Sequence, residues 1–172
     1  MAGKPTELPP CGLYLTTRPL SGREEEFPAG LIVSFHNHSD SGLPTVTKPD
    51  HNILNRWHFH GPAVQLRGLT WVSSLERLAD EGFYTLRKEI HFEGGSWPRG
   101  TLVQLGYTQA GEPILFIARV PAKLERNELV FSDRGAKIKR ADLRQLEPAS
   151  VYTEPGSTAA DGAVHDHGHQ HG

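Results

Sequence analysis

Phe27-Pro28-Ala29-Gly30-Leu31-Ile32-Val33 recurs as Trp97-Pro98-Arg99-Gly100-Thr101-Leu102-Val103, at an offset of 70 residues. In both stretches an aromatic ring precedes Pro, one further residue and Gly, and an apolar run follows. Pro presets φ at the second turn position and Gly accepts φ > 0. Each stretch therefore predicts a turn that feeds the chain into a strand. The same offset holds without a gap from Gly12 to Phe35: Gly12-Leu13-Tyr14 lies over Gly82-Phe83-Tyr84, and Leu20 over Ile90.

Further along, the register drifts by a residue or two. Pro44-Thr45-Val46-Thr47 lies over Pro113-Ile114-Leu115-Phe116, and Asn55 to Phe59 over Asn127 to Phe131. Leu75-Glu76-Arg77-Leu78 lies over Leu143-Arg144-Gln145-Leu146. Matches in one order along so much of the chain predict an internal duplication, which must be recognised before any fold is assigned. The expected units are 12–80 and 82–150, flanked by an extended N-terminus, 1–11, and a tail, 151–172.

Within each unit the elements are short. Strands are expected at 14–17, 31–35, 45–47 and 55–60, and again at 101–107, 114–119 and 127–132. Polar loops separate them at 21–26 and 93–96. The helical spacing of Val72, Leu75 and Leu78 predicts one short helix over 71–79, with a helical turn at 141–146. Many short strands with turn signals between them make the fold mainly β. A unit of this size, with a Pro-Gly turn into its second strand and a helical turn near its end, resembles an SH3-like small barrel. The resemblance rests on the two Pro-x-Gly stretches and on Ala141-Asp142-Leu143. It implies a tandem of two closed barrels, which removes sheet edges. Units so small are expected to pack together, with Trp71 and the 71–79 helix between them.

Composition excludes several classes. The 172 residues hold 20 acids and 18 bases, a formal charge of −2, so the chain is not a generally basic nucleic-acid binder. A single cysteine, Cys11, rules out an intrachain disulfide framework and is compatible with a cytoplasmic setting. No apolar run approaches the roughly 20 residues of a membrane helix, and Met1 to Pro10 has no apolar stretch of a secretory signal. No Walker loop, G-x-S-x-G or H-E-x-x-H occurs, so no enzymatic activity is expected.

Chemistry concentrates in histidine. The tail ends His165-Asp166-His167-Gly168-His169-Gln170-His171, with no apolar pattern before it, and is expected to be disordered. Neutral imidazole is the commonest transition-metal ligand, so His165, His167, His169 and His171 are candidate Ni²⁺ or Zn²⁺ ligands. The first unit adds His36 and His38, His58 and His60, and His51. Their counterparts in the second unit are not histidines, so a barrel does not require imidazole there. Residues i and i+2 share a strand face and each pair could chelate. Strands two apart in a meander, however, lie about 9–10 Å from each other, too far to share an ion.

The expected function is non-enzymatic binding of another protein through barrel loops, with Trp57, Trp97 and Tyr107 as aromatic anchors. A metal-handling protein using the tail is the alternative. Nucleic-acid binding by the locally basic second unit, from Arg119 to Glu147, is a third reading. No membrane partner is expected.

Overall fold

The computed structural model describes residues 7–123 and 127–152. It is mainly β. The first half forms β1 (Gly12–Thr16), β2 (Ile32–His36), β3 (Thr45–Thr47), β4 (His51–Ile53), β5 (Arg56–His58), β6 (Val64–Gln65) and β7 (Leu75–Arg77). The second forms β8 (Gly82–Leu86), β9 (Ile90–Phe92), β10 (Gly95–Trp97), β11 (Leu102–Tyr107), β12 (Pro113–Arg119), β13 (Val130–Phe131), β14 (Ala136–Lys137) and β15 (Leu146–Pro148).

The first sheet runs β6-β3-β2-β1-β7; the second runs β13-β12-β11-β8-β15, with β14 also on β12. Their registers correspond. Leu13↔Ser34 and Tyr14↔Val33 in the first sheet become Phe83↔Gln104 and Tyr84↔Val103 in the second, each residue advanced by 70. The flanking pairs agree as well: Phe35↔Val46 with Leu105↔Leu115, Val46↔Val64 with Leu115↔Ala136, and Leu15↔Glu76 with Thr85↔Glu147.

The Pro-Gly turns sit as their sequence requires. Gly30 has φ +79° and donates its N–H to the Thr16 carbonyl at 2.7 Å. Gly100 has φ +84° and does the same to Leu86 at 2.7 Å. A side chain at either position would meet no atom within 4 Å, so backbone strain alone resists substitution. Gly30→Val or Gly100→Val should therefore cost more than about 1 kcal/mol in urea unfolding. An unchanged midpoint would show that the left-handed conformation is dispensable.

Three expectations are corrected. The segment 71–79 is not a helix: a single 3-10 turn, Val72–Ser74, gives way at once to β7. Nine residues are too few to nucleate a helix without help, and pairing of Leu75–Arg77 with β1 takes the backbone instead. Trp71 does not lie between the halves. Its indole N–H donates to the Arg18 carbonyl at 2.9 Å, and its ring meets Phe27 edge-on at 6.5 Å, inside the first half. Residues 55–60 do not form the strand beside β3; β6 does, and Arg56–His58 pairs with β4 in a separate hairpin.

Two cores result. Tyr14, Phe27, Val33, Phe35, Val46, Leu66 and Val72 fill the first half. A second cluster joins Leu13, Ile32 and Leu78 from the first half to Leu86, Val103, Leu105, Tyr107, Leu115 and Leu146 from the second. Strand alternation explains the division: Val33 and Phe35 face one side of β2, and Ile32 the other. The first sheet is thus buried on both faces, one by its own core and one by its neighbour. Ile32 also donates its backbone N–H to the Gln109 carbonyl at 3.0 Å, across the junction.

Candidate metal centre

The β4–β5 hairpin turns on two residues, Leu54 (φ +54°) and Asn55 (φ +65°). Positive φ at both central positions makes a tight primed turn, whose twist suits antiparallel strands. Asn tolerates this conformation well; Leu does so at a cost of roughly 1–2 kcal/mol. Contacts to the second half hold the strained tip. Gln104 Nε2 donates to the Leu54 carbonyl at 2.8 Å, and Asn55 Nδ2 donates to Gln104 Oε1 at 3.0 Å and to the Ser132 carbonyl at 3.1 Å. Behind the tip, Trp57 donates its backbone N–H to Glu81 Oε2 at 2.9 Å and its indole N–H to the Tyr107 carbonyl at 2.8 Å.

The turn fixes the register, and the register makes the site. His51 pairs directly with His58, and their rings stack at 5.0 Å with 3° between planes. His60, two residues on, completes a triangle at 5.7 Å from His51 and 5.4 Å from His58. One ring nitrogen from each histidine lies within 4.8 Å of the others, the one such group among the described residues. Three nitrogens on a tetrahedral zinc, each about 2.0–2.1 Å from it, are about 3.4 Å apart. The rings therefore need to close by about 1.5 Å at most, a side-chain rotation on an exposed hairpin.

Asp50 organises the triangle from outside it. Its Oδ1 accepts the His51 backbone N–H at 3.0 Å and lies 3.2 Å from His51 Nδ1. Its Oδ2 accepts the His60 backbone N–H at 3.3 Å. A carboxylate on Nδ1 leaves His51 Nε2 as the free donor, and such carboxylates orient histidine ligands in metal sites. Desolvation lowers the pKa of His58, and the imidazoles of His51 and His60 lower it further, which favours the neutral ligand form.

The other histidines do not join. His36 Nε2 lies 3.4 Å from Ser34 Oγ. His38 Nδ1 lies 2.7 Å from Asn37 Oδ1 and 3.8 Å from Cys11 Sγ, a separate surface cluster. Of the aromatics expected as anchors, Tyr107 is buried, with its hydroxyl donating to the Ala79 carbonyl at 2.9 Å. Trp57 is half-buried, and Trp97 packs on Phe92 at 4.5 Å. All three are engaged within the chain. The tail histidines, His165 to His171, lie outside the described residues.

His51 drops out of any scheme that makes 55–60 a barrel strand. The available signal was symmetry: a two-residue turn at Leu54-Asn55 sets His51 opposite His58. Asn without a following Gly marks such a turn weakly.

No family model, curated protein or solved structure matches the chain. Among the described residues, no helix is long and apolar enough to cross a membrane.

Proposed function

We propose that the chain is a non-enzymatic, metal-binding protein built as a tandem of two SH3-like barrels, with the hairpin of the first as its metal centre. The observation that carries the metal reading is the convergence of His51, His58 and His60 on one point of the surface. The duplication is supported by the correspondence of strand order and register between the two sheets. Three imidazoles and no thiolate suit Zn²⁺, Ni²⁺ or Cu²⁺ rather than a hard cation. Zinc, which has no geometric demand of its own, best fits ligands carried by a deformable hairpin.

Calorimetric titration of the full chain with Zn²⁺ tests this. His58→Ala should lower affinity about tenfold or more, because His58 is the partly buried ligand across from His51. Asp50→Asn should lower it by about 10–100-fold by loosening His51. Unchanged binding in both variants would remove the hairpin as the site.

Protein binding is the second reading, and the hairpin again favours it. Ile53 is 49% and Leu54 81% exposed at the tip. Large apolar residues presented together at an exposed tip suit a partner surface. The basic character of the second half supports nucleic-acid binding less. Lys137 pairs with Glu112 at 2.8 Å and Arg140 with Glu76 at 2.7 Å, so charge there is partly spent within the chain.

A further inference from the structure

Strand β6 ends the first sheet, with β3 on one side and, among the described residues, no strand on the other. Its pairing phase decides which backbone groups point outward. Thr45 lies opposite Gln65, and Val46 opposite Val64. Leu66 donates its N–H to the Pro44 carbonyl at 2.8 Å, the next pair along. Bonded and non-bonded pairs alternate in an antiparallel ladder. The backbone groups of Val64 and Leu66 therefore face β3, and the N–H and C=O of Gln65 face away from it. Among the described residues neither Gln65 group has a hydrogen-bond partner. Pro62 precedes the paired residues and leaves the Gln65 N–H free. Such an edge is a template for one more strand.

The edge borders an open cleft of about 500 Å³, lined by Arg23, Pro62, Ala63, Val64, Gln65 and Arg67. The lining holds two guanidinium groups and no carboxylate. Arg67 is exposed and has no ion-pair partner among the described residues. Arg23 Nη1 meets Glu26 Oε2 at 2.9 Å, but Glu26 is shared with Lys48 Nζ at 3.9 Å. Glu24 turns back to accept the Gly22 N–H at 2.9 Å, on its own loop. The cleft is thus positive, and Pro62, Ala63 and Val64 give it apolar surface beside the charge.

We infer that the β6 edge takes up an extended segment of a partner protein whose side chains alternate between acidic and apolar. Backbone bonds to Gln65 set the register of the added strand. Its side chains alternate from face to face, so acids at every second position gather on one side, against the arginines. A carboxylate matches the guanidinium fork with two parallel bonds. This surface is separate from the hairpin histidines and does not depend on a metal.

The test titrates the full chain into an end-blocked, fluorescently labelled Val-Glu-Val-Glu-Val peptide and reads anisotropy. The peptide should bind, and Val-Lys-Val-Lys-Val should bind about tenfold more weakly. Arg67→Glu should reverse that preference. Gln65→Pro removes the outward N–H without touching the ladder to β3, and should weaken the acidic peptide by about fivefold or more. Two acidic peptides, N-methylated at the glutamates or at the valines, probe the same bonds on the natural chain, and one of them should lose binding. Equal binding of the acidic and basic peptides would overturn the inference, as would binding that survives both Gln65→Pro and each N-methylation. Free glutamate or inorganic phosphate binding as tightly as the peptide would reduce the cleft to an anion pocket and overturn strand addition. Dimerisation in sedimentation that Gln65→Pro abolishes would assign the edge to a second copy of the chain instead.

Discussion

Gly106→Ala is expected to destabilise the protein by about 3 kcal/mol, in the range of overpacking a fitted site plus stranding a buried polar group. The reason is the close approach of the hairpin tip to β11. A Cβ at Gly106 would stand 2.6 Å from the Asn55 carbonyl oxygen and 3.1 Å from a Phe116 ring carbon. A backbone oxygen cannot rotate away as a side chain can, so the tip must lift. Lifting it breaks the bond Gln104 donates to the Leu54 carbonyl and the one it accepts from Asn55 Nδ2, and Gln104 is only 4% exposed. Its amide is then left without partners in a site closed to water. Gly61→Ala is the control: nothing lies within 4 Å of its Cβ and its φ is ordinary, so it should stay within about 0.5 kcal/mol. Urea unfolding of the two variants decides the matter, and equal stabilities would show that the tip is not docked. Zinc affinity should fall in Gly106→Ala as well, since a two-stranded hairpin without support is marginal in water.

The parts of this fold that were legible in the sequence are those fixed locally. Pro28-x-Gly30 and Pro98-x-Gly100 specify their turns through their own backbone preferences, and the register of β1–β2 and β8–β11 follows from them. What escaped depends on tertiary choice. The spacing of Val72, Leu75 and Leu78 suits a helix face, but Val and Ser are poor helix formers and β1 has a free edge. Strand pairing wins there. Leu13 and Ile32 read as ordinary strand residues, and nothing local says that they cross to the second core. Glu81 reads as part of a short polar linker, Ala79-Asp80-Glu81; the folded β4–β5 hairpin sets Trp57 and Arg56 against it. The candidate metal centre was half legible. The histidines stand out by composition, but pairing His58 with His51 rather than with His36 and His38 needed the hairpin. That same hairpin carries the candidate ligands at its base, a strained tip on the second sheet, and Trp57 bonded to both Glu81 and Tyr107. The hairpin therefore ties the candidate site to the junction between the halves.

Glu81 should make that junction sensitive to pH, and Glu81→Gln should remove the sensitivity. Glu81 Oε2 accepts the Trp57 N–H, while Oε1 is buried with no hydrogen-bond partner. Burial pushes the carboxyl up to about 7, against the opposing pulls of the Trp57 N–H and the Arg56 guanidinium. An unfolded glutamate titrates near 4.3. Between these values the folded chain keeps a proton that the unfolded chain has released, so stability falls as pH rises through that window. The loss is complete above the folded value, where it reaches about 3 kcal/mol for a shift of this size. His58 acts in the opposite sense. Its lowered pKa makes the folded chain the poorer proton binder, so its contribution is lost as pH falls below about 6.5. The two effects overlap in the natural protein, and only a difference measurement separates them. Glutamine keeps an acceptor for Trp57 and cannot ionise. Urea unfolding of both chains at pH 5, 6, 7 and 8 should show an advantage for Glu81→Gln of about 1 kcal/mol at pH 5 that grows to about 3 kcal/mol at pH 8. The gap should open through the titration of the buried acid while the His58 contribution cancels. Parallel curves would mean that Glu81 is ionised throughout and that Oε1 finds a donor in solution.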